Sequence, residues 1–442
     1  MTDTSAEIHP LKIADFRFYW MARFMAVLAT MAMVVVIGYQ AYDIARSDYG
    51  MSIREASLQL GLLGLVQFVP LALLTPVAGW AADRWERRTV ARLANSIDML
   101  VALALSWFTY VDGLTLPLLF LFAALHGVAR VFVGPSMSAI GPNIVPPTSL
   151  PRAIALSSIA WQIGSVIGPA AGGLMFAASP SLPYFASAGL MLMATISLSC
   201  VRPVYPPPME RKIHPIRQMV DGMRYTWSER FLLGAITLDL FAVLLAGATA
   251  MLPVYARDIL MVGPDGLGQL RAAPAVGASA VALMLTFRPL RHNVGAKMLW
   301  AVVVFGIATI GFGLSHEIGT HVFGDAPIGF LNMAAGMAVA LVMLVVLGAS
   351  DMLSVYVRSS LVQLNTPDEM RGRVSSVSGL AISASNELGE LQSGVAAAAL
   401  GPVGAVVFGG FGAIFVTAIW AGLFPELKNA RTFEPQYRGK SP

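Results

Sequence analysis

The sequence predicts an all-α membrane protein, with twelve transmembrane helices arranged as two pseudo-symmetric six-helix bundles. The composition supports this prediction, because 56% of the 442 residues are hydrophobic and only 12% are charged, whereas soluble domains are about 25% charged. Twelve apolar stretches come close to the ~20 residues that a helix needs to cross a bilayer. A polar segment near the middle divides them into two sets of six, and several residues of the first set recur in the second.

The first half, residues 1–201, is predicted to form a six-helix bundle. Its first apolar stretch is too long for the core of a signal peptide, so we expect the chain to begin in the cytoplasm without cleavage. A proline-rich loop ends the fourth span. The predicted spans are Arg17–Ile44, Leu58–Trp80, Leu93–Val111, Leu116–Ile140, Arg152–Phe176 and Pro183–Val201.

Residues 202–230 form the longest polar stretch and contain three consecutive prolines, so they are predicted to be a cytoplasmic linker. Residues 231–442 are predicted to form the second six-helix bundle and a cytoplasmic tail. His316–Phe330 does not fit a span, and we expect an outer segment with a short helix there. The predicted spans are Phe231–Tyr255, Leu267–Phe287, Met298–Leu314, Met337–Leu364, Val374–Leu400 and Val403–Phe424.

Loops rich in basic residues alternate with loops that are poor in them. The basic loops are 84–92, 202–224, 288–297 and 371–373. The opposite connections contain Arg46, Arg54, Arg257 and Arg271. Because cytoplasmic loops carry the excess of basic residues, the sequence predicts a multi-pass membrane protein with both termini in the cytoplasm. The basic residues of these loops account for the formal net charge of +4, so the charge does not indicate a nucleic-acid partner.

Small residues and prolines recur between the two halves at a constant spacing of 221 residues. The matched pairs are Gly127 with Gly348, Pro146 with Pro367, Gly168 with Gly389 and Gly173 with Gly394. The end of the first span, Tyr42-Asp43-Ile44, is also similar to Arg257-Asp258-Ile259 at the end of the seventh. Chance matches in apolar sequence are the alternative. Parallel internal repeats are one architecture of secondary transporters.

A charged hairpin, Gly79-Trp-Ala-Ala-Asp83-Arg84-Trp-Glu-Arg87-Arg88, joins the second and third spans. A solvated turn on the cytoplasmic side is the plain interpretation. The pattern G-x-x-x-D-R-x-x-R-R resembles the signature loop of the major facilitator superfamily of secondary transporters. Three further stretches resemble the bacterial branch that includes the enterobactin exporter, and this resemblance covers nearly the whole chain. They are Asp15-Phe-Arg-Phe-Tyr-Trp20, 367–376 and 385–394.

The resemblance implies a fold, a gate and an activity. Spans one, four, seven and ten would line a central cavity, and the two bundles would alternate between inward-open and outward-open states. Gly79, Asp83, Arg84, Arg87 and Arg88 would form the gating loop, with Asp83 at the cytoplasmic start of span eleven, where the helix dipole favours a negative charge. The implied activity is export of a small amphiphilic molecule across the bacterial inner membrane.

This sequence departs from the family pattern in two places. The second-half counterpart of the signature loop, Arg288–Lys297, has no acidic residue, so the first-half loop alone is expected to gate. The insertion Glu317–Phe330 is longer than expected.

Charged residues lie inside the predicted cavity-lining spans, where each costs about 2.5–3.5 kcal/mol on insertion scales. Arg130 lies in span four and Asp239 in span seven, and Asp351 and Arg358 lie seven residues apart on one face of span ten. They are candidates for binding the substrate or a proton. The alternative is structural, with Asp351 pairing with Arg358 or Arg130 to hold helices together.

Glu387 and Glu390 share one face of span eleven. The sequence has no lysine or arginine within one helical turn of them, and low-polarity surroundings favour the neutral acid. They are therefore proton-carrier candidates, with Asp351 and Asp239. The alternative is that Asn386, Gln392 or a neighbouring helix hydrogen-bonds them.

Further polar and aromatic residues are candidates for the substrate cavity, although a lone histidine is more often packed than a ligand. These candidates are His126, Tyr39, Gln40, Trp161 and Gln162. Tyr42 is expected to be an interface anchor. Asp98 is expected to partner Arg92 or the loop arginines. The small residues of span five lie where the family has its antiporter motif.

The predicted activity is proton-coupled export of a siderophore-like or drug-like amphiphile. A lipid or lysophospholipid transporter and a transport-inactive membrane scaffold or sensor are the alternatives. The sequence has no phosphate loop, nucleophile–base set or metal constellation, so we expect no enzyme, cofactor or metal. A small-molecule substrate, protons and membrane lipids are the expected partners of a monomer.

Overall fold

Every regular element in the described part of the chain is a helix. The computed structural model describes residues 9–205, 215–323 and 334–433, without the side chains of residues 82, 83, 215–218, 368 and 369. The helices of the first half are α1 (Ala14–Ser47), α2 (Ile53–Arg84), α3 (Arg87–Tyr110), α4 (Leu116–Ile140), α5 (Leu150–Ala178) and α6 (Leu182–Ser199).

Helices continue beyond the predicted linker. They are α7 (Pro215–Ser228), α8 (Arg230–Leu245), α9 (Leu252–Val254), α10 (Gly263–Phe287), α11 (Val294–Gly313), α12 (Ser315–Phe323), α13 (Ala335–Asn365), α14 (Asp368–Leu400), α15 (Pro402–Leu423) and α16 (Pro425–Lys428). Short 3₁₀ turns occupy Pro10–Lys12, Gly141–Asn143, Pro147–Ser149 and Ala248–Met251, and a π turn occupies Tyr255–Ile259.

Eleven helical stretches of the described residues are long and apolar enough to cross a membrane. The charged helix α14, at 33 residues, has the length for a twelfth. The expected short helix after span nine is α12, whereas the second half of the insertion, residues 324–330, lies outside the described residues. The predicted linker contains α7, which the sequence analysis missed, and its proline run Pro206-Pro207-Pro208 is also outside the described part.

Contacts between Cα atoms divide the chain into two compact units. The first comprises Met1–Gln40 and Val66–Lys212, and the second comprises Ala41–Leu65 and Ile213–Pro442. The end of α1 and the beginning of α2 therefore group with the second half of the chain. The predicted domain boundaries at residues 201 and 231 stay a prediction.

The matched glycines make matched contacts within their own units. A Cβ at Gly127 of α4 would lie 3.3 Å from the backbone oxygen of Gln67 on α2, and one at Gly348 of α13 would lie 1.9 Å from that of Pro274 on α10. In each half, the fourth span thus packs at this glycine against the second. Close approach of helix backbones requires small residues at the contact, which explains why glycine recurs there.

The seventh span is interrupted rather than continuous as predicted. Helix α8 ends at Leu245, and a 3₁₀ turn, α9 and the π turn complete the span. The break lies at Gly247, where a Cβ would be 2.4 Å from Ser393 Oγ and 2.7 Å from Gly389 O of α14. Pro253 follows inside the next helical segment and lacks an amide hydrogen to continue the α-helical pattern. The α-helical hydrogen-bond pattern is therefore interrupted where α14 approaches the chain.

Candidate functional site

A buried ion pair joins α8 and α13 in the second unit. The guanidinium group of Arg358 pairs with the carboxylate of Asp239, and the two residues are 3% and 9% exposed. Asp351, two turns before Arg358 on α13, interacts electrostatically with both of them. The pairing of Arg358 with Asp239 was not among the predicted ones. The three groups together carry one formal negative charge when both carboxylates are ionised.

Glu387 and Glu390 lie where α14 passes α2 and the end of α8. The hydroxyl group of Ser393 donates a hydrogen bond to Gly247 O over 3.1 Å, and Gly389 packs against the backbone of Val243 and Leu244. Both glutamates take part in further polar or electrostatic interactions, so neither is isolated as the sequence analysis assumed. Their predicted role in proton transfer stays a prediction.

In the first unit, His126 of α4 lies 2.6 Å, measured from Nδ1, from Oδ1 of Asp98 on α3. His126 is fully buried and Asp98 is 2% exposed. Asp98 thus contacts His126 rather than Arg92 or the loop arginines as expected, because α3 and α4 pack with both polar side chains between them. One turn after His126, Arg130 lies 3.4 Å from Oε1 of Gln67.

The other cavity candidates have different environments. Gln40 bridges two helices, since its Nε2 donates to Thr109 Oγ1 over 3.1 Å and its Oε1 accepts from the hydroxyl group of Tyr184 over 2.7 Å. Tyr39 is buried and packs edge-on against Phe176. Trp161 is 48% exposed on α5, next to Gln162. Gln40 and Tyr39 thus contribute to the interior of the first unit.

The charged hairpin packs against the end of α6. Arg88 Nη1 donates to Val201 O over 2.6 Å, and the Arg87 amide donates to Val204 O over 3.0 Å. The Arg84 guanidinium lies over the ring of Trp80. No other described atom lies within 4 Å of a Cβ placed at Gly79. The predicted position of the Asp83 side chain lies outside the described residues.

Glu86 is a structural residue of this hairpin that the sequence analysis did not single out. Its carboxylate accepts hydrogen bonds from the amides of Arg88 and Thr89, from the Thr89 hydroxyl and from the Val204 amide. It therefore caps α3 and holds the chain that follows α6. Partial burial opposes ionisation, but these hydrogen bonds and the Arg88 charge bring the pKa of Glu86 below its usual value.

The similar ends of the first and seventh spans contact each other. Tyr42 donates a hydrogen bond of 2.5 Å to Asp258, and Arg46 lies 3.3 Å from the same carboxylate. Arg257 pairs with Asp43 over 3.1 Å. We call these five residues the Asp43–Asp258 cluster, and all belong to the second compact unit.

Tyr42 is fully buried in the Asp43–Asp258 cluster. Its predicted role as an interface anchor is therefore wrong, because Asp258 provides a partner for its hydroxyl group inside the protein.

Many apolar spans with buried, paired charges inside them are typical of membrane transporters, and the described residues contain no group of three or more side chains suited to hold a metal ion. The chain belongs to the major facilitator superfamily, since the model described as Major Facilitator Superfamily matches residues 19–390. It is therefore a multi-pass membrane transporter and not an enzyme.

Curated relatives match almost the whole chain. The enterobactin exporter EntS of Escherichia coli O127:H6 (strain E2348/69 / EPEC) is 25% identical over 421 residues, which cover 95% of this chain and 94% of the relative. EntS of Citrobacter koseri (strain ATCC BAA-895 / CDC 4225-83 / SGSC4696) is 25% identical over 420 residues, with the same coverage. The resemblance to this bacterial branch is thereby confirmed.

Solved structures share the fold. The POT family transporter PepTSo has a TM-score of 0.70 at 11% identity, over 94% of this chain and 98% of that chain. A bacterial homolog of the human lysosomal transporter Spinster, inward-facing and unoccupied, has a TM-score of 0.67 at 16% identity, over 94% of this chain and 97% of that chain. The predicted all-α fold of two six-helix bundles is confirmed.

Proposed function

We propose that the protein exports a small amphiphilic molecule, of siderophore or drug type, across the bacterial inner membrane in exchange for protons. The relatives named as enterobactin exporters support the direction and the cargo class. The observation that carries proton coupling is the Asp239–Arg358–Asp351 group, in which Arg358 pairs with Asp239 and Asp351 interacts electrostatically with both. Binding one proton would neutralise this group, and its release would restore the negative charge.

Alternating access also needs contacts that close each side of the membrane in turn. We assign the inner contact to the gating loop, Gly79, Asp83, Arg84, Arg87 and Arg88. The hydrogen bonds of Arg87 and Arg88 to the backbone after α6 hold this loop in place within the first unit. We assign the outer contact to the Asp43–Asp258 cluster, whose two ion pairs join the ends of the first and seventh spans.

Flux into proteoliposomes tests the proposal. Enterobactin and a lipophilic cationic dye serve as cargoes, with and without an imposed pH gradient. We expect the gradient to accelerate flux of the wild type, and D351N to abolish this acceleration because one titratable carboxylate is lost. D112N, at an exposed loop position, serves as the control. Flux that ignores the gradient in the wild type would exclude proton coupling.

Transport of a lysophospholipid is the second candidate function, and one specific feature favours it. An apolar groove of about 630 Å³ lies between α1, α5 and α6 of the first unit, and Leu28, Met175 and Leu192 are among its lining residues. Such a groove suits an acyl chain. Faster flux of a fluorescent lysophospholipid than of enterobactin or the dye, independent of the pH gradient, would favour this candidate.

A further inference from the structure

Helix α7 lies beside the beginnings of two longer helices of the second unit, α8 and α14. A Cβ at Gly222 of α7 would lie 2.8 Å from Arg373 O of α14, and Asp221 pairs with the Arg373 guanidinium group over 3.5 Å. Helix α8 begins at Arg230, and one residue separates it from α7. Both helices begin on the side where the basic loops predict the cytoplasm. Helix α7 therefore lies at the level of the predicted inner membrane surface.

One face of α7 is covered by protein, and the opposite face is not. Gly222 and Thr226, four residues apart, are buried. Val220, Arg224 and Trp227 follow one another at intervals of four and three residues, so they share another face of the helix. On this face Val220 is 53% exposed, Trp227 is 70% exposed and Arg224 is exposed as well. We call Val220, Arg224 and Trp227 the open face of α7.

Arg224 has no counter-charge in the part of the chain that the structure describes. Its guanidinium group forms no hydrogen bond, ion pair or ring contact with any described residue, and the carboxylate one turn away, Asp221, pairs with Arg373 instead. The next arginine, Arg230, differs because it pairs with Glu426 over 3.4 Å. Arg224 is therefore available to a negatively charged group from outside the protein.

The open face combines the side chains that suit the boundary between lipid headgroups and acyl chains. Tryptophan is enriched at membrane interfaces, and Trp227 lies three residues before Arg230, where the seventh span begins. Val220 adds apolar surface, and the long side chain of Arg224 can extend from this surface to a phosphate group. Amphipathic helices of this kind lie in the interface with their apolar face buried by about 5–10 Å.

We propose that the open face of α7 docks on anionic phospholipids at the inner membrane surface, with Trp227 and Val220 among the headgroups and Arg224 on a lipid phosphate. The occupant is lipid rather than another protein, because α7 leads directly into a span and because the charge of Arg224 is complementary to anionic headgroups. Since Asp221 pairs with Arg373, docking also holds the start of α14 at this surface. The inference depends neither on the cargo nor on the coupling ion.

A fluorescent probe on α7 measures its position without any cargo. V220C is made in a C200S background, since Cys200 is the single native cysteine, and is labelled with an environment-sensitive dye. The whole chain is placed in nanodiscs of phosphatidylcholine, either alone or mixed with phosphatidylglycerol. Nitroxide groups on the lipid and iodide ions in the water serve as quenchers. R291C, at an exposed position of the turn before α11, carries the reference probe on the same predicted side.

We expect lipid nitroxides to quench the V220C probe about threefold more strongly than the R291C probe, and iodide to give the opposite order. Phosphatidylglycerol should raise the ratio of inserted to water-exposed V220C probe. One basic residue near an anionic surface changes affinity by about fivefold, so R224Q should lower this ratio by about fivefold. R224K should keep it, because the charge remains, and R291Q should keep it because Arg291 lies outside α7. W227S should lower insertion in both lipids.

Three results would overturn the inference. A V220C probe quenched like the R291C probe by both agents would show that the open face meets water. A V220C probe protected from both quenchers would show that protein covers this face, either another part of the chain or a second copy. An R224Q protein that responds to phosphatidylglycerol like the wild type would exclude the contact of Arg224 with a lipid phosphate. Monodispersity in detergent checks that each variant is folded.

Discussion

Tyr42 on α1 donates a hydrogen bond of 2.5 Å to Asp258 of the π turn after α9. In the similar ends of the first and seventh spans, Tyr42 corresponds to Arg257 and Asp43 corresponds to Asp258. Arg257 in turn pairs with Asp43 over 3.1 Å. Each aspartate therefore contacts the residue that precedes the other aspartate, and the repeated sequence makes two reciprocal contacts from one short pattern.

The Asp43–Asp258 cluster should contribute measurably to stability. D258N removes the charge that Arg46 contacts, and hydrogen bonds to charged groups are worth about 1.5–3 kcal/mol. We expect D258N to lower the free energy of unfolding by about 1–2 kcal/mol, measured by thermal unfolding in detergent. D112N is the matched control at an exposed loop. Equal unfolding midpoints for the two variants would show that the cluster is not a stabilising contact.

The pair of Asp239 and Arg358 should be strongly coupled. Removing one partner leaves a buried charge without compensation, so D239A and R358A should each cost about 3–5 kcal/mol of stability. The double variant should cost clearly less than the sum of the two, because neither member of the ion pair is left without the other. A double-mutant cycle in detergent measures this coupling. Additive costs would mean that the two charges act independently.

Glu86 should make the hairpin sensitive to acid. Its pKa lies below the ordinary value of 4.5, so its contribution to stability is present above that pH and is lost as the pH falls through the folded-state pKa. E86Q should therefore lose less stability than the wild type on acidification below pH 4.5.

Loss of the α3 cap is a second expected effect at Glu86. At neutral pH, E86A should cost about 0.5–2 kcal/mol. Unfolding curves over a pH series check both effects, and parallel pH profiles for the wild type and E86Q would contradict the first.

The matched glycines should differ in their tolerance of alanine. G348A places a Cβ 1.9 Å from Pro274 O, whereas G127A places one 3.3 Å from Gln67 O. Overpacking of a close contact costs about 1–3 kcal/mol or more, so G348A should lower the unfolding midpoint more than G127A. G379A, which meets open space, is the reference. A G348A protein as stable as G379A would show that α10 and α13 can move apart freely.

The sequence was sufficient to predict the membrane-spanning helices, because the periodicity of apolar residues and the length of each apolar stretch are local properties. The interruption of the seventh span could not be predicted in this way. Gly247 and Pro253 lie in sequence that is apolar throughout, and the break depends on the approach of α14 at Gly389 and Ser393. Helix α7 was missed because its linker was judged by polarity and prolines rather than by periodicity.

The residue types were sufficient to predict the candidate site residues, but not the partners that these residues contact. An ionisable residue inside an apolar span can be recognised from the sequence alone. Asp239, Asp351 and Arg358 were identified in this way. That Arg358 contacts Asp239, and that His126 contacts Asp98, depends on how helices far apart in sequence are rotated against each other. Glu86 was overlooked because its four hydrogen-bond donors are three backbone amides and one hydroxyl group. Such donors cannot be recognised as a charge pattern in the sequence.

The break at Gly247 separates the buried Asp239 from Asp258 along the seventh span. A continuous helix would transmit a rotation at one aspartate to the other. The α-helical hydrogen-bond pattern stops after Leu245, so the two ends of the span can move separately. Asp258 can then leave Tyr42 while Asp239 stays beside Arg358. We therefore expect the end of this span that carries Asp258 to tilt without separating Asp239 from Arg358.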